Sequence, residues 1–231
     1  MTTTDDPDTQ TASVPVDDLP TVDSVAELRE IIGEPHQLVI DKVHPTLNAN
    51  DREWLLASPL CFISTSDADG NCDVSPKGDP VGQLVHIIDD GTIAIAERAG
   101  NRRADGYLNI LQNPHVGLVF VVPGRSDTVR VNGRARLVRD APWFDELIVQ
   151  NKRPILALVI EIEEVFLHCA RSFVRSQVWH PETWPDPDGV VAATREARPS
   201  RSHAPRSVEE TTEAIGDLER RQVESYGGQL Y

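Results

Sequence analysis

The stretch from Thr128 to Val138 constrains the fold more than any other. Val129, Val131, Ala135 and Leu137 fall on one side of an extended chain, and Thr128, Arg130, Asn132, Arg134 and Arg136 on the other. Such a period of two defines a half-buried β-strand. A strand with one apolar face needs neighbours to cover it, and the surrounding sequence supplies them. Leu60 to Ser66 reads as a mostly apolar strand that returns through the turn Asp67-Ala68-Asp69-Gly70-Asn71 into Cys72 to Ser75. Gln83 to Ile88 and Thr92 to Ala96 flank Asp89-Asp90-Gly91, a hairpin signal because glycine tolerates positive φ. His115 to Val122 ends at Pro123-Gly124, and Ile155 to Leu167 is a long apolar strand. Short strands at close spacing, with few and short helices between them, favour a closed antiparallel β architecture over βαβ units. The expected class is mainly β with flanking helices.

Helical signals sit around this middle. Ser24-Val25-Ala26-Glu27 fits a capping box opening a helix that ends near Gly33. Asn50-Asp51 precedes a helix over Arg52 to Ala57, and Ala104 to Gln112 is a helix stopped by Asn113-Pro114. Pro142 to Gln150 and residues 170–179, with Arg171, Arg175 and Trp179, read as further short helices. The leading helices would cover a sheet edge or meet another subunit. Three segments follow: a disordered acidic tail over 1–22, a barrel domain over 23–180, and a proline-rich arm with a C-terminal amphipathic helix over 181–231.

The 231 residues carry a net charge of −15, which repels a phosphate backbone and argues against nucleic-acid binding. The longest apolar runs, Gly117 to Pro123 and Ile155 to Ile160, are far shorter than the roughly 20 residues of a membrane span. The start, MTTTDDPDTQ, lacks the basic and apolar regions of a secretory signal, so a cytoplasmic protein is expected. Cys61, Cys72 and Cys169 form no disulfide framework and are expected to be small buried hydrophobes. His168, Cys169 and His180 match no common zinc spacing, so no metal is expected. No Gly-x-Ser-x-Gly elbow, P-loop or Gly-x-Gly-x-x-Gly occurs.

The charge is uneven. Residues 98–139 hold eight arginines against Asp105 and Asp127, which is either a local anion site or a face of arginines paired to partners. Within it, Ala99-Gly100-Asn101-Arg102-Arg103 stands between a strand and a helix. A helix N-terminus offers unpaired N–H groups and a positive dipole end, and two guanidiniums there suit a phosphate. Because cations oppose that dipole, either an anion or a nearby carboxylate must offset them. Ser75-Pro76-Lys77-Gly78-Asp79 adds one of only three lysines in a turn of fixed direction, and Thr128, Arg130 and Asn132 present a polar strand face.

The run from Phe62 to Trp179, about half the chain, resembles the pyridoxamine 5′-phosphate oxidase-like FMN-binding split-barrel family. The resemblance rests on SPKGDP at 75–80, GNRRADGYLNILQNPHVGLVFVVPG at 100–124, DTVRVNGRARLV at 127–138 and FLHCARSFVRSQVWHP at 166–181. It is closer to the family's broad set of FMN-dependent enzymes than to the vitamin-making oxidases, which often have Gln where Thr128 stands. The resemblance implies a split β-barrel homodimer with FMN at the subunit interface and a small organic substrate. A nicotinamide would visit only as a transient reductant. It places the phosphate on Arg102 and Arg103 with Asn101 beside them, and the ring and ribityl chain next to Ser75 and Lys77. It adds polar flavin contacts from Thr128 and Arg130, and contacts across the dimer from Arg175 and Trp179. The rival implications are a flavin carrier or redox sensor without turnover, or a same-fold enzyme using a deazaflavin or haem.

Overall fold

A computed structural model describes residues 15–98 and 102–185; the arm beyond 185, its expected helix, and Asn101 lie outside the described residues. The chain divides into compact units over Met1–Asp41 and Lys42–Tyr231. In the first, a 3-10 turn at Val16–Asp18 precedes helices α1 (Val25–Ile32) and α2 (Gln37–Asp41). Ser24 Oγ accepts the Glu27 N–H at 3.1 Å, while the Glu27 carboxylate reaches back to the Asp23 N–H at 3.2 Å. Gly33 ends α1 at φ 78°, the left-handed region where a side chain is strained.

The second unit holds the sheet. Its elements are α3 (Ala49–Ala57), β1 (Leu60–Ser66), β2 (Cys72–Gly78), β3 (Val85–Asp89), β4 (Thr92–Glu97), α4 (Asp105–Gln112), β5 (His115–Val121), β6 (Thr128–Val138), β7 (Leu156–His168) and α5 (Arg171–Ser176). The helix expected near Pro142 is a 3-10 turn, Pro142–Leu147. Seven strands pair antiparallel throughout in the order β2-β1-β5-β6-β7-β4-β3. Lys77 of β2 nevertheless bonds Glu97 of β4 at 2.7 Å, although four strands lie between theirs in that order. Just beyond these strands, Arg98 grips Asp79 at 3.1 Å. Both contacts require the sheet to curl until its two ends meet, which is the split-barrel arrangement.

The barrel interior is filled by Ile63, Ile93, Ile95, Leu118, Phe120, Val129, Val131, Leu158, Ile160 and Val165, each exposed by 3% or less. Burial of each such side chain contributes about 1.5–3 kcal/mol, so this interior supplies most of the drive to close the sheet. β6 buries Val129, Val131 and Ala135 as its alternation requires. On β7 the alternation breaks at Glu163-Glu164, both exposed. Ladder pairing jumps there from Asn132↔Glu164 to Gly133↔Ile162, a bulge that adds one residue to β7. Across the other face, Ala94, Ala96, Ala157 and Val159 are also buried. The 3-10 turn reaches this region: His86 stacks on Trp143 at 5.0 Å, and Arg98 donates to the Leu147 carbonyl at 2.6 Å.

The expectation of three buried cysteines is corrected. Cys61 is buried, but Cys72 and Cys169 are exposed, because Cys72 starts an edge strand and Cys169 follows the end of β7. No helix among the described residues is long and apolar enough to cross a membrane.

Candidate functional site

A cleft of about 430 Å³ opens where β2, the end of β4 and the start of α4 converge. β2 forms one wall. As an edge strand it leaves backbone groups outside the ladder, and it presents Ser75 and Lys77. α4 approaches closely because residue 106 is glycine: a Cβ there would stand 3.4 Å from Asp73 Oδ2 and 3.5 Å from Thr65 Oγ1. Asn109 Nδ2 donates to Thr65 Oγ1 at 3.1 Å and Asn113 Nδ2 to Ser66 Oγ at 2.9 Å, fixing the helix on β1.

Lys77, Glu97 and Tyr107 share one hydrogen-bonded cluster lining the cleft. Lys77 Nζ donates to Glu97 Oε2 at 2.7 Å and to Tyr107 Oη at 2.8 Å, and the Tyr107 hydroxyl donates to the same Glu97 oxygen. Burial, reinforced by the hydrogen bond to Glu97, pushes the Tyr107 phenol above its ordinary range, so Tyr107 keeps its proton. The ammonium is thereby held in one direction by a carboxylate and a phenol. Neither Glu97 nor Tyr107 stood out in the sequence. Glu97 is a lone acid ending an apolar strand, and Tyr107 reads as part of the apolar face of α4.

The mouth of α4 is built from strained backbone. Arg102 and Ala104 adopt φ 64° and 58°, a left-handed conformation costing roughly 1 kcal/mol or more for a residue with a Cβ. No side chain caps the helix at Ala104, so its first N–H groups face outward. Arg103 lines the cleft and pairs with Asp105, the carboxylate that offsets a cation at this helix start. With side-chain exposures of 78% and 40%, that pair is worth about 1 kcal/mol or less.

The arginine island is not a single pocket: of its two readings, arginines paired to partners describes most of it. Among its described members only Arg103 lines the cleft. Arg98 holds Asp79, Arg125 holds Asp127, Arg136 holds Glu161, and Arg134 meets His115 at 2.9 Å. Pairing with acids accounts for the first three, and a histidine for Arg134. Asp79 is buried, and that burial raises its carboxyl above the usual range despite the Arg98 guanidinium.

The cleft thus brings together Ser75, Lys77 and Arg103. Arg102, next to Arg103 in the chain, is exposed and does not line the cleft. Thr128, Arg130, Arg175 and Trp179 do not line it. Thr128 is buried at 3% and stands opposite His168 in the β6–β7 ladder. Arg130 lies over the Phe166 ring at 5.2 Å, Arg175 is exposed on α5, and Trp179 donates its indole N–H to the Arg125 carbonyl at 2.7 Å.

An antiparallel barrel closed by partly buried ion pairs, with a polar cleft at the seam lined by Lys77 and Arg103 and by Asp73, Glu97 and Asp105, is the architecture of a split-barrel protein. Residues 47–169, more than half the chain, match the pyridoxamine 5′-phosphate oxidase family model. The chain belongs to that family, which includes flavin-dependent oxidoreductases. Similar solved structures include HupZ of Group A Streptococcus, 19% identical over 52% of this chain and 93% of that one, with TM-score 0.42. A candidate pyridoxamine 5′-phosphate oxidase of Lactobacillus delbrueckii is 27% identical over 53% and 95%, with TM-score 0.42. A protein of Clostridium acetobutylicum related to general stress protein 26 is 15% identical over 52% and 85%, with TM-score 0.39. No curated protein matches.

Proposed function

We propose that the protein is an FMN-dependent oxidoreductase acting on a small organic substrate, with FMN bound at a homodimer interface. The observation that carries this reading is the cleft in which Ser75, Lys77 and Arg103 meet beside an uncapped helix start, in a chain of this family. The donor set fits the group. A phosphate dianion suits Arg103, Arg102 and the outward N–H groups of α4, and displacing Asp105 from Arg103 costs little. The β2 edge supplies backbone donors and acceptors suited to a planar ring with polar edges.

Bound FMN supplies transfer of hydride or electrons between a donor and an organic acceptor or oxygen. The chain's own residues do the rest. Lys77, directed by Glu97 and Tyr107, places positive charge in the cleft and stabilises negative charge that develops there. Tyr107 stays protonated. Arg175 and Trp179, which lie outside the cleft of their own subunit, would come to the flavin from a second one.

The visible spectrum of the purified protein, with mass analysis of what heat releases, tests the cofactor. A flavin spectrum that NADH or NADPH bleaches, and that a substrate or oxygen restores, is expected. A deazaflavin or haem spectrum, or a colourless protein that FMN does not stabilise, overturns the reading; a yellow protein that no donor bleaches leaves only a carrier. Arg103→Ala should weaken FMN binding by about ten-fold or more, the cost of a lost charge-assisted hydrogen bond, while Arg139→Ala on the exposed surface should not.

A further inference from the structure

Among the described residues the half-buried lysines and arginines are Arg29, Lys42, Arg52, Lys77, Arg98 and Arg130. Four of them hold a carboxylate: Arg29 with Glu34, Arg52 with Asp90, Lys77 with Glu97 and Arg98 with Asp79. Lys42 and Arg130 hold none. Both lie instead against one aromatic ring, with Lys42 Nζ 5.6 Å and Arg130 Cζ 5.2 Å from the centre of Phe166. A ring face returns about 0.5–2 kcal/mol to a cation without occupying its N–H groups as donors to an oxygen.

The ladder explains the convergence. Arg130 is the β-partner of Phe166, and the next pair on the same face is Thr128 with His168. His168 is influenced by its neighbours: burial first, then the charges of Arg130 and Lys42, hold its imidazole below the ordinary range. Glu164, one pair further along, is already engaged by Asn132 at 2.8 Å. Two cations therefore converge on one ring beside a histidine, and the acid on that strand face is held by Asn132 rather than by either of them, in a chain of net charge −15.

We propose that Lys42, Arg130 and His168 form a binding site for an oxyanion, the phosphate or carboxylate of a small ligand, beside the Phe166 ring. The guanidinium offers a fork to two oxygens and the ammonium a point charge. An anion seated there reverses the local field on His168, which takes up a proton as the ligand binds. None of the three residues lines the Lys77 cleft. The site goes beyond the flavin reading: it shares with that reading only Arg130, which does not line the cleft, while Lys42 and His168 have no part in it.

The test follows the His168 Cε1–H resonance of the full chain, both without FMN and saturated with it, through a pH titration. It is run with inorganic phosphate, with acetate, and with sodium chloride at matched ionic strength. The apparent pKa of His168 should rise saturably with phosphate or acetate and not with chloride. A response to one anion alone identifies which oxyanion the site takes. In Lys42→Met the half-saturating concentration should rise by about ten-fold. A rise equal to that in chloride, no rise at all, or a rise unchanged by Lys42→Met overturns the proposal. Because the readout is local to His168, anion binding at Arg103 does not imitate it, and loss of flavin binding would leave it unaffected.

Discussion

Asp51 serves two partners at the start of α3. Its carboxylate accepts the Asn48 N–H at 2.9 Å, completing a capping box, and meets His44 Nε2 at 2.7 Å. The hydrogen bond to Asp51 is the main reason that the His44 imidazole titrates above its ordinary range. Protonated His44 is therefore favoured in the folded chain. Its contribution to stability is complete below the unfolded pKa, about 6.5, and is lost as pH rises through the higher folded value. In urea unfolding, the stability gap between wild type and His44→Gln should be widest near pH 6 and shrink toward pH 9, values chosen about either side of that titration. A gap independent of pH would remove the charge from the argument. The thiols give a second prediction at this scale. Burial pushes Cys61 up to about 12, and only the thiolate reacts. Iodoacetamide should label Cys72 and Cys169 in the folded protein and Cys61 only after unfolding, as read by peptide mass mapping; equal labelling of Cys61 would contradict its burial.

The strands of the barrel were legible where one residue in two is apolar. β1 and β6 have the bounds that their patterns imply, since a one-residue slip would turn the whole apolar set outward. The β7 bulge was less visible, because Ile162-Glu163-Glu164-Val165 reads as a local blemish until its partner strand is known. The site divides on the same principle. Arg102 and Arg103 announce themselves as charges at a helix start and Lys77 as a charge in a turn, although β2 in fact runs on through Lys77 to Gly78, because the β1 ladder continues to Leu60. Glu97 and Tyr107 lie 20 and 30 residues from Lys77, and only barrel closure joins them. Arg98 and Asp79 looked like parts of an anion site and a turn, whereas burial makes them each other's partner. Gly133 carries the prediction at this scale. At the bulge a Cβ on residue 133 would stand 2.1 Å from the Glu161 carbonyl oxygen, a backbone atom that cannot swing aside. Gly133→Ala should destabilise the fold by about 3 kcal/mol, at the upper end for overpacking, measured by denaturant midpoint. Gly70→Ala, whose added Cβ meets nothing within 4 Å but which sits at φ 87°, separates backbone strain from collision and should cost less. Equal costs would refute the steric account.

At the scale of the whole molecule, closure rests on a seam that, among the described residues, backbone hydrogen bonds between strands do not cross. β2 ends the sheet on one side, and β4 and β3 end it on the other; Lys77–Glu97 and Arg98–Asp79 join the two sides. Such half-buried pairs recover little beyond their own desolvation, so the seam is where the barrel has most to gain from a ligand. FMN held by Arg103 and α4 on one side and by Ser75 and Lys77 on the other would bridge it. A ligand that binds only the folded chain stabilises it by about 2.7 kcal/mol at a hundred times its Kd. For a chain of this size that corresponds to a rise in Tm of roughly 5–10 °C. The rise should be several degrees smaller in Arg103→Ala at the same FMN concentration. If the cleft is completed by a second subunit, Tm should also climb with protein concentration, because dimerisation is linked to folding by the same mass action. A chain whose Tm ignores FMN has no flavin site at the seam. One whose Tm responds to FMN but not to its own concentration binds it as a monomer, and Arg175 and Trp179 then have no route to the ring.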